Sequence, residues 1–369
     1  MSTSPDLLAL ALPRLARHRL HPVAPVGTGM AEVAAGMAGV HAQVLSAAET
    51  SLAIRVEGAT RADVRTALWE ERSLVKTFGP RGTVHLLPTA DLPYWTAALS
   101  SIPWHSPHAQ DVRMDEAQTD LVVAAIDDAL ADSELTVDEL TEAVVDRVGP
   151  WAGERVMPAF QDQWPRWRQA TAMAAHRGVL CFGPDRRRRV TYTNPRRWVA
   201  AVEPVKADEA ARWLAGEWLA AYGPGGAEEL ARWLGAPTSW ATKALADARR
   251  GEVPAVADRL PAALLLPYFD AYVVGFRPRA LLFPGPAWDR ALTPSGQAGN
   301  YPVLLVDGVV AGVWHSRRVG STVHVTVETL RDLTADELDA VEQRVLRLGQ
   351  VLEARPTLTF GPVTVGGHA

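Results

Sequence analysis

Apolar and polar positions along the chain recur with two periods. Helical spacing runs through residues 7–18, with a kink at Pro13, whose ring removes a hydrogen bond and crowds the preceding turn. It returns over 28–40 and 45–56, the latter with Ser46 as N-cap and Glu49 three residues on, the capping-box spacing. Thr60 caps a further helix over 61–71, with Ala62, Val64, Ala67 and Leu68 on its buried face. The period then drops to two. Residues 74–78, the Gly79-Pro80-Arg81-Gly82 turn and residues 83–87 read as a β-hairpin. Helices followed by such a hairpin are the order of a winged helix, an elaborated helix-turn-helix.

The order recurs. Residues 119–130 and 137–148 are helical, Thr136 capping the second; 164–176 is a third helix, stopped by Gly178. Strands at 179–182 and 190–193 flank a Gly- and Arg-rich turn, giving a second hairpin. A third pass has helices at 208–222, 226–234 and 239–249, the last capped by Ser239, and a β-rich tail with strands at 263–266, 272–276, 301–306, 309–314 and 323–327. Asp307-Gly308 is a tight-turn signal, and 335–348 is a closing helix. The expected fold is α+β, with three tandem winged-helix units at 1–110, 111–200 and 201–369, the last including the β-rich region.

Composition agrees with a folded chain of two to three domains: 369 residues, 48% hydrophobic and 21% charged. Cys181 is the single cysteine, so no intramolecular disulfide and no cysteine-based metal site is expected. No apolar run reaches the roughly 18–20 residues of a membrane span, and the start lacks a signal-peptide pattern. A cytoplasmic, nucleoid-associated monomer is expected.

The distribution of charge is more informative than the totals. The net charge is −5, yet residues 162–198 hold nine arginines against Asp162 and Asp185, leaving that segment +7 and the remainder −12. Such asymmetry is the footprint of a DNA-facing patch. Arg186, Arg187, Arg188 and Arg189 suit backbone or minor-groove contact on a wing, and Arg166, Arg168, Arg196 and Arg197 suit phosphates. Arg65, Lys76 and Arg81 are the matching cations of the first unit. Trp164 and Trp167, three residues apart, read as core; His85 reads as a structural strand residue, and His176 as a cation at a helix C-terminus.

His41 and Gln43 are two side chains able to handle a water molecule, two residues apart. Read alone, they are ordinary polar residues at a helix–helix connection; at a helix end both could face one cleft. No HExxH, CxxC, Walker loop, GxGxxG after a strand or GxSxG elbow occurs, so no metal, nucleotide or other cofactor is expected. None of the three lysines neighbours His41, which leaves hydrolysis by an activated water as the covalent chemistry open to such a site.

Four stretches then carry a resemblance: residues 38–49, 81–86, 265–276 and 301–314. Together they resemble the AlkZ/YcaQ-type bacterial DNA glycosylases, tandem winged-helix proteins, over nearly the whole chain. In AlkZ-like members two glutamines flank one apolar residue, and YcaQ-like members end the motif with aspartate. Carried over, the motif falls on His41, Ala42 and Gln43. Gln43 is AlkZ-like, and His41 is a variant of the commonest form. The resemblance implies a monofunctional glycosylase that removes N7-alkylated guanine from duplex DNA, bulky adducts and interstrand crosslinks included, in base excision repair or genotoxin resistance, with His41 and Gln43 as catalytic residues. Two other readings stay open: a non-catalytic DNA-binding regulator or lesion sensor, and a scaffold that binds proteins. Asp270, Arg279 and His315 lie in or beside these stretches; spacing assigns them no role, and they read as lining a DNA channel or, the favoured reading, as holding the sheet together.

Overall fold

The period-two stretches at the end of the chain come together in one five-stranded sheet, ordered Arg355–Phe360, Thr322–Thr329, Val309–Val319, Val303–Val306, Ala263–Leu266. This is a computed structural model that describes residues 5–103, 108–159, 162–199 and 204–368. Neighbouring strands are antiparallel except the pair Thr322–Thr329 and Arg355–Phe360. That pair is parallel and is joined through the helix Ala335–Val351, since a parallel pair needs a crossover. Leu264, Leu266, Val303 and Leu305 face Leu7, Ala11 and Leu15 of the helix Pro5–Arg17. Ala263, Leu265, Leu304 and Val306 face Val341, Val345 and Leu348 of the crossover helix. Burial on both faces explains why these strands read as unbroken apolar runs. Asp307 and Gly308 form the expected turn, both at positive φ (49° and 80°).

Two compact units divide the chain. The first, with this sheet, takes Met1–Glu70, Gly216–Gly225 and Arg250–Ala369; the second takes Glu71–Ala215 and Gly226–Arg249. The second packs the helices Glu116–Leu130, Val137–Val148 and Thr171–His176 around Ile126, Leu130, Leu140, Trp167 and Tyr192. Its three-stranded sheet is ordered Glu134–Thr136, Arg189–Thr193, Cys181–Arg186. Thr136 caps its helix as expected, and the Glu139 carboxylate accepts the Thr136 N–H at 2.8 Å. The Leu74–Phe78 and Val84–Pro88 hairpin also forms as expected, with Leu74 opposite Pro88 and Phe78 opposite Val84. Gly79 in its turn admits no side chain, because the His85 ring lies 2.9 Å from where a Cβ would sit.

Several expectations need correction. Residues 164–176 do not form one helix: Trp164 and Pro165 end the strand Asp162–Pro165, a 3-10 turn covers Arg166–Ala170, and the α-helix is Thr171–His176. Pro165 has extended backbone and opens the helical path only after itself. Trp167 is fully buried, whereas Trp164 is 43% exposed under the Arg168 guanidinium, 3.9 Å from its ring. Residues 272–276 are not a strand but the helix Ala271–Gly275, because the Asp270 carboxylate accepts the Tyr272 N–H at 3.1 Å and starts a turn. Ser46 and Ser239 are not N-caps; Val44 and Pro237 precede the helices Leu45–Ala53 and Thr238–Ala246. Burial pushes His176 down to about 4, so it is a neutral donor to the Gly79 carbonyl, 3.2 Å away, and not a cation on the helix dipole.

Candidate active site

The helix Met30–Gly36 ends in two consecutive residues of positive φ, Ala38 (50°) and Gly39 (88°), with the Gly39 N–H returning to the Ala34 carbonyl at 3.0 Å. This left-handed exit throws the chain into the short extended segment Val40–His41. Burial then alternates: Val40 and Ala42 are buried, His41 half-buried, Gln43 exposed. Alternation puts His41 and Gln43 on the side away from the core, one either side of Ala42. Two residues after Gln43 the helix Leu45–Ala53 begins. Its N-terminal amides give the segment a locally positive environment.

The His41 imidazole stacks on the Phe269 ring, with centroids 5.1 Å apart and planes 24° from parallel. Phe269 itself has φ +53°, a conformation that costs a non-glycine residue about 1–2 kcal/mol. Two contacts impose it. Its N–H donates to the Gly299 carbonyl at 2.8 Å, and Gly299, at φ +104°, comes so close that a Cβ there would lie 3.1 Å from the Phe269 Cα. The next residue, Asp270, is fully buried and accepts from Ser51 Oγ at 2.7 Å and from both Arg55 end nitrogens at 2.8 and 2.9 Å. Burial alone would raise this carboxyl, but the Arg55 guanidinium and the Ser51 hydroxyl outweigh it and hold it below the usual carboxylate range. Arg55 Nε donates to the His18 carbonyl at 2.8 Å, and burial, aided by Arg55, pushes the His18 imidazole down to about 3. The helix after the motif is thus tied to the loop that presents Phe269 to His41.

Glu49 on the same helix is buried and accepts from Arg61 Nε at 2.7 Å and from Arg65 at 2.8 and 2.9 Å. A cavity of about 270 Å³ opens beside Val44 and Ala47, with Tyr268, His315, Arg318 and His368 among its walls. His315 is therefore a cavity wall residue as well as a strand residue, while Arg279 donates to the Val273, Val274 and Phe276 carbonyls and holds its loop closed.

The structure brings His41 and Gln43 together in the first unit. The arginines of 162–198 belong to the second, and most have internal partners. Arg186 pairs with Glu139 and Arg189 with Asp138. Arg166 reaches Glu154 and the Val112 carbonyl, Arg196 reaches Asp127, and Arg197 donates to Thr193 Oγ1. Arg187 and Arg188 occupy the tip between Arg186 and Arg189, both at positive φ (50° and 68°). Lys76 lies over the Phe182 ring at 4.4 Å, and Arg81 donates to the Trp233 carbonyl at 2.6 Å. Reading the sequence missed Phe269, Tyr268, Arg55 and His368. The first two stand inside the quoted stretch 265–276, in the connection between the strands expected at 263–266 and 272–276; His368 carries no local signal at all.

A model of the DNA glycosylase AlkZ-like family matches residues 34–351, a span that includes the His41 segment, the Asp270 loop and the sheet. The interstrand DNA cross-link repair glycosylase of Streptomyces sahachiroi is 32% identical over 191 residues; the match covers 49% of this chain and spans about half, 48%, of that relative's length. The solved structure of Streptomyces sahachiroi DNA glycosylase AlkZ superposes with a TM-score of 0.77 at 24% identity, covering 98% of this chain and all of that one, a likeness of fold. By the extent of the family match, the chain belongs to the AlkZ-like DNA glycosylase family.

Proposed function

We propose that this protein is a monofunctional DNA glycosylase that hydrolyses the N-glycosidic bond of N7-alkylated guanine in duplex DNA, bulky adducts and interstrand crosslinks included. The observation that carries the reading is the His41-Ala42-Gln43 segment: two polar side chains flanking a buried alanine, just ahead of a helix. A cationic N7-alkylguanine is already a good leaving group. The enzyme has to stabilise an oxocarbenium-like sugar and place a water molecule beside it. A neutral His41 imidazole accepts a proton from that water, and the Gln43 amide orients it. Phe269 stacks on the imidazole and fixes its plane.

DNA contact falls chiefly to the second unit, at its Arg-rich hairpin tip. Its helices and the strand order Glu134–Thr136, Arg189–Thr193, Cys181–Arg186 support a winged helix with Arg187 and Arg188 at the wing tip. On this reading the chain is three such units in tandem, at 1–110, 111–200 and 201–369. Lys76, Arg81, Arg166, Arg168, Arg186, Arg189, Arg196 and Arg197 in the second unit and Arg65 in the first, all held by internal contacts, act as fixed positive points that position the phosphate backbone.

The test is release of 7-methylguanine from duplex DNA under single-turnover conditions. Each of His41→Ala and Gln43→Ala should lower the rate by about 10²–10³-fold, with duplex affinity nearly unchanged. Full activity in both variants would remove this pair from the mechanism, and salt-dependent binding with no abasic product from the wild type would make the protein a non-catalytic binder.

A further inference from the structure

Four aromatic rings run in succession from the motif. His41 stacks on Phe269; Phe269 meets the His368 ring edge-on at 5.5 Å; His368 meets Tyr268 edge-on at 5.7 Å. Tyr268 and His368 are also walls of the cavity that opens beside Val44 and Ala47, so the far end of the ladder is a cavity wall and the near end is the motif. The tail bearing His368 is pinned there by a reciprocal pair: the His368 N–H donates to the Asn300 carbonyl at 2.8 Å, and the Asn300 amide donates to the His368 carbonyl at 2.6 Å.

Three properties of this cavity define its occupant. Its volume, about 270 Å³, falls just under the range of pockets for drug-sized molecules and suits one compact ring system. Among the described residues no Asp or Glu lines it, so a cationic group finds no side-chain ion-pair partner there. Its two arginines are already committed: Arg61 pairs with Glu49, and Arg318 donates to the Gly320 and Leu352 carbonyls. What remains is aromatic surface with hydroxyl and imidazole edges, suited to a neutral planar group.

We propose that this cavity receives the neutral aromatic substituent that a bulky lesion carries on guanine N7, and that Tyr268 and His368 determine specificity for such lesions. The proposal rests on the glycosylase reading above and adds to it the place where the adduct arm goes. The cavity begins at the residues that follow Gln43, so a base attacked at the motif projects its substituent toward the ring ladder.

The experiment compares two duplexes, one with 7-methylguanine and one with 7-(1-naphthylmethyl)guanine, for wild type, Tyr268→Ala, His368→Ala and His368→Phe. The readout is the ratio of kcat/KM for the naphthylmethyl substrate to that for the methyl substrate. Loss of one stacking wall should lower this ratio about tenfold in each alanine variant, chiefly through KM, and His368→Phe should restore it. A ratio that stays constant, whether both rates hold or both fall together, overturns the proposal and means that these rings only support His41. A second readout is the Kd for the naphthylmethyl duplex against an unmodified one. Wild type should bind the adducted duplex more tightly and His368→Ala should not; equal wild-type affinities overturn the pocket. A wild type that excises neither base overturns the glycosylase reading, and the binding comparison still decides the pocket.

Discussion

Arg55 in the first unit and Arg187-Arg188 in the second are opposite uses of the same side chain. Arg55 is fully buried; its end nitrogens grip Asp270 and its Nε holds the His18 carbonyl, so its charge is consumed inside the fold. Arg187 and Arg188 stand at an exposed hairpin tip in left-handed backbone that asparagine and glycine adopt far more easily. The Asp307-Gly308 turn shows what the easy solution looks like, with the same positive φ at both positions in residues that tolerate it. Two arginines kept at the other tip trade stability for displayed charge, the direction in which backbone strain points to function. Arg55 therefore spends its charge on geometry around His41, whereas Arg187 and Arg188 keep theirs at the surface.

The largest effect expected from breaking this contrast is at Asp270. Asp270→Ala leaves Arg55 as an uncompensated buried cation and should destabilise the fold by about 3–5 kcal/mol, read by urea denaturation. Because Ser51 and the Tyr272 N–H also lose their acceptor, the loop that carries Phe269 should loosen, and excision should fall beyond the fraction unfolded. An ordinary surface-like loss of a few tenths of a kcal/mol would mean that the pair is not a structural anchor.

Acidification compares the two units without mutation. In each unit a buried histidine has a pKa far below the ordinary 6.5: His18, at about 3, in the first and His176, at about 4, in the second. Between those values and 6.5 the unfolded chain carries the proton and the folded chain does not, so stability rises with pH through this window. Lowering the pH from 7 to 5 should cost up to about 1.4 kcal/mol per pH unit for each histidine once below 6.5. Thermal melts across this range check it, and His176→Gln should remove the second unit's share. A flat profile would contradict the burial of both rings.

The smallest effect has the most distinctive sign. Replacing the tip by Arg187→Asn with Arg188→Gly relieves two strained residues and should stabilise the second unit by about 1–2 kcal/mol, while weakening duplex binding and reducing the slope of log K against log salt by about 2. A tip variant that is more stable and binds as well as wild type would remove these arginines from the DNA interface.

Much of this was legible in the chain itself. The hairpin Leu74–Phe78/Val84–Pro88, the Thr136 cap and the Asp307-Gly308 turn follow from local spacing and turn chemistry, and the structure contains all three. So does the His41-Ala42-Gln43 motif, as a pattern. What local spacing could not deliver was its surroundings. The Ala38-Gly39 exit, the Asp270 carboxylate that starts a helix where alternation promised a strand, and the Pro165 break depend on contacts or backbone angles that periodicity does not record.

Local sequence sets most element types, the +7 segment and the identity of the two polar residues, because each is a property of neighbouring positions. Tertiary structure decided which charges are spent and what touches His41. Asp270 lies 215 positions from Arg55, and Phe269 reaches His41, and His368 reaches Phe269, only after the loop and the tail have folded back. Such pairings are set by burial and packing between distant segments, where an arginine looks the same in the sequence whether it will be sealed against a carboxylate or left at a turn facing solvent.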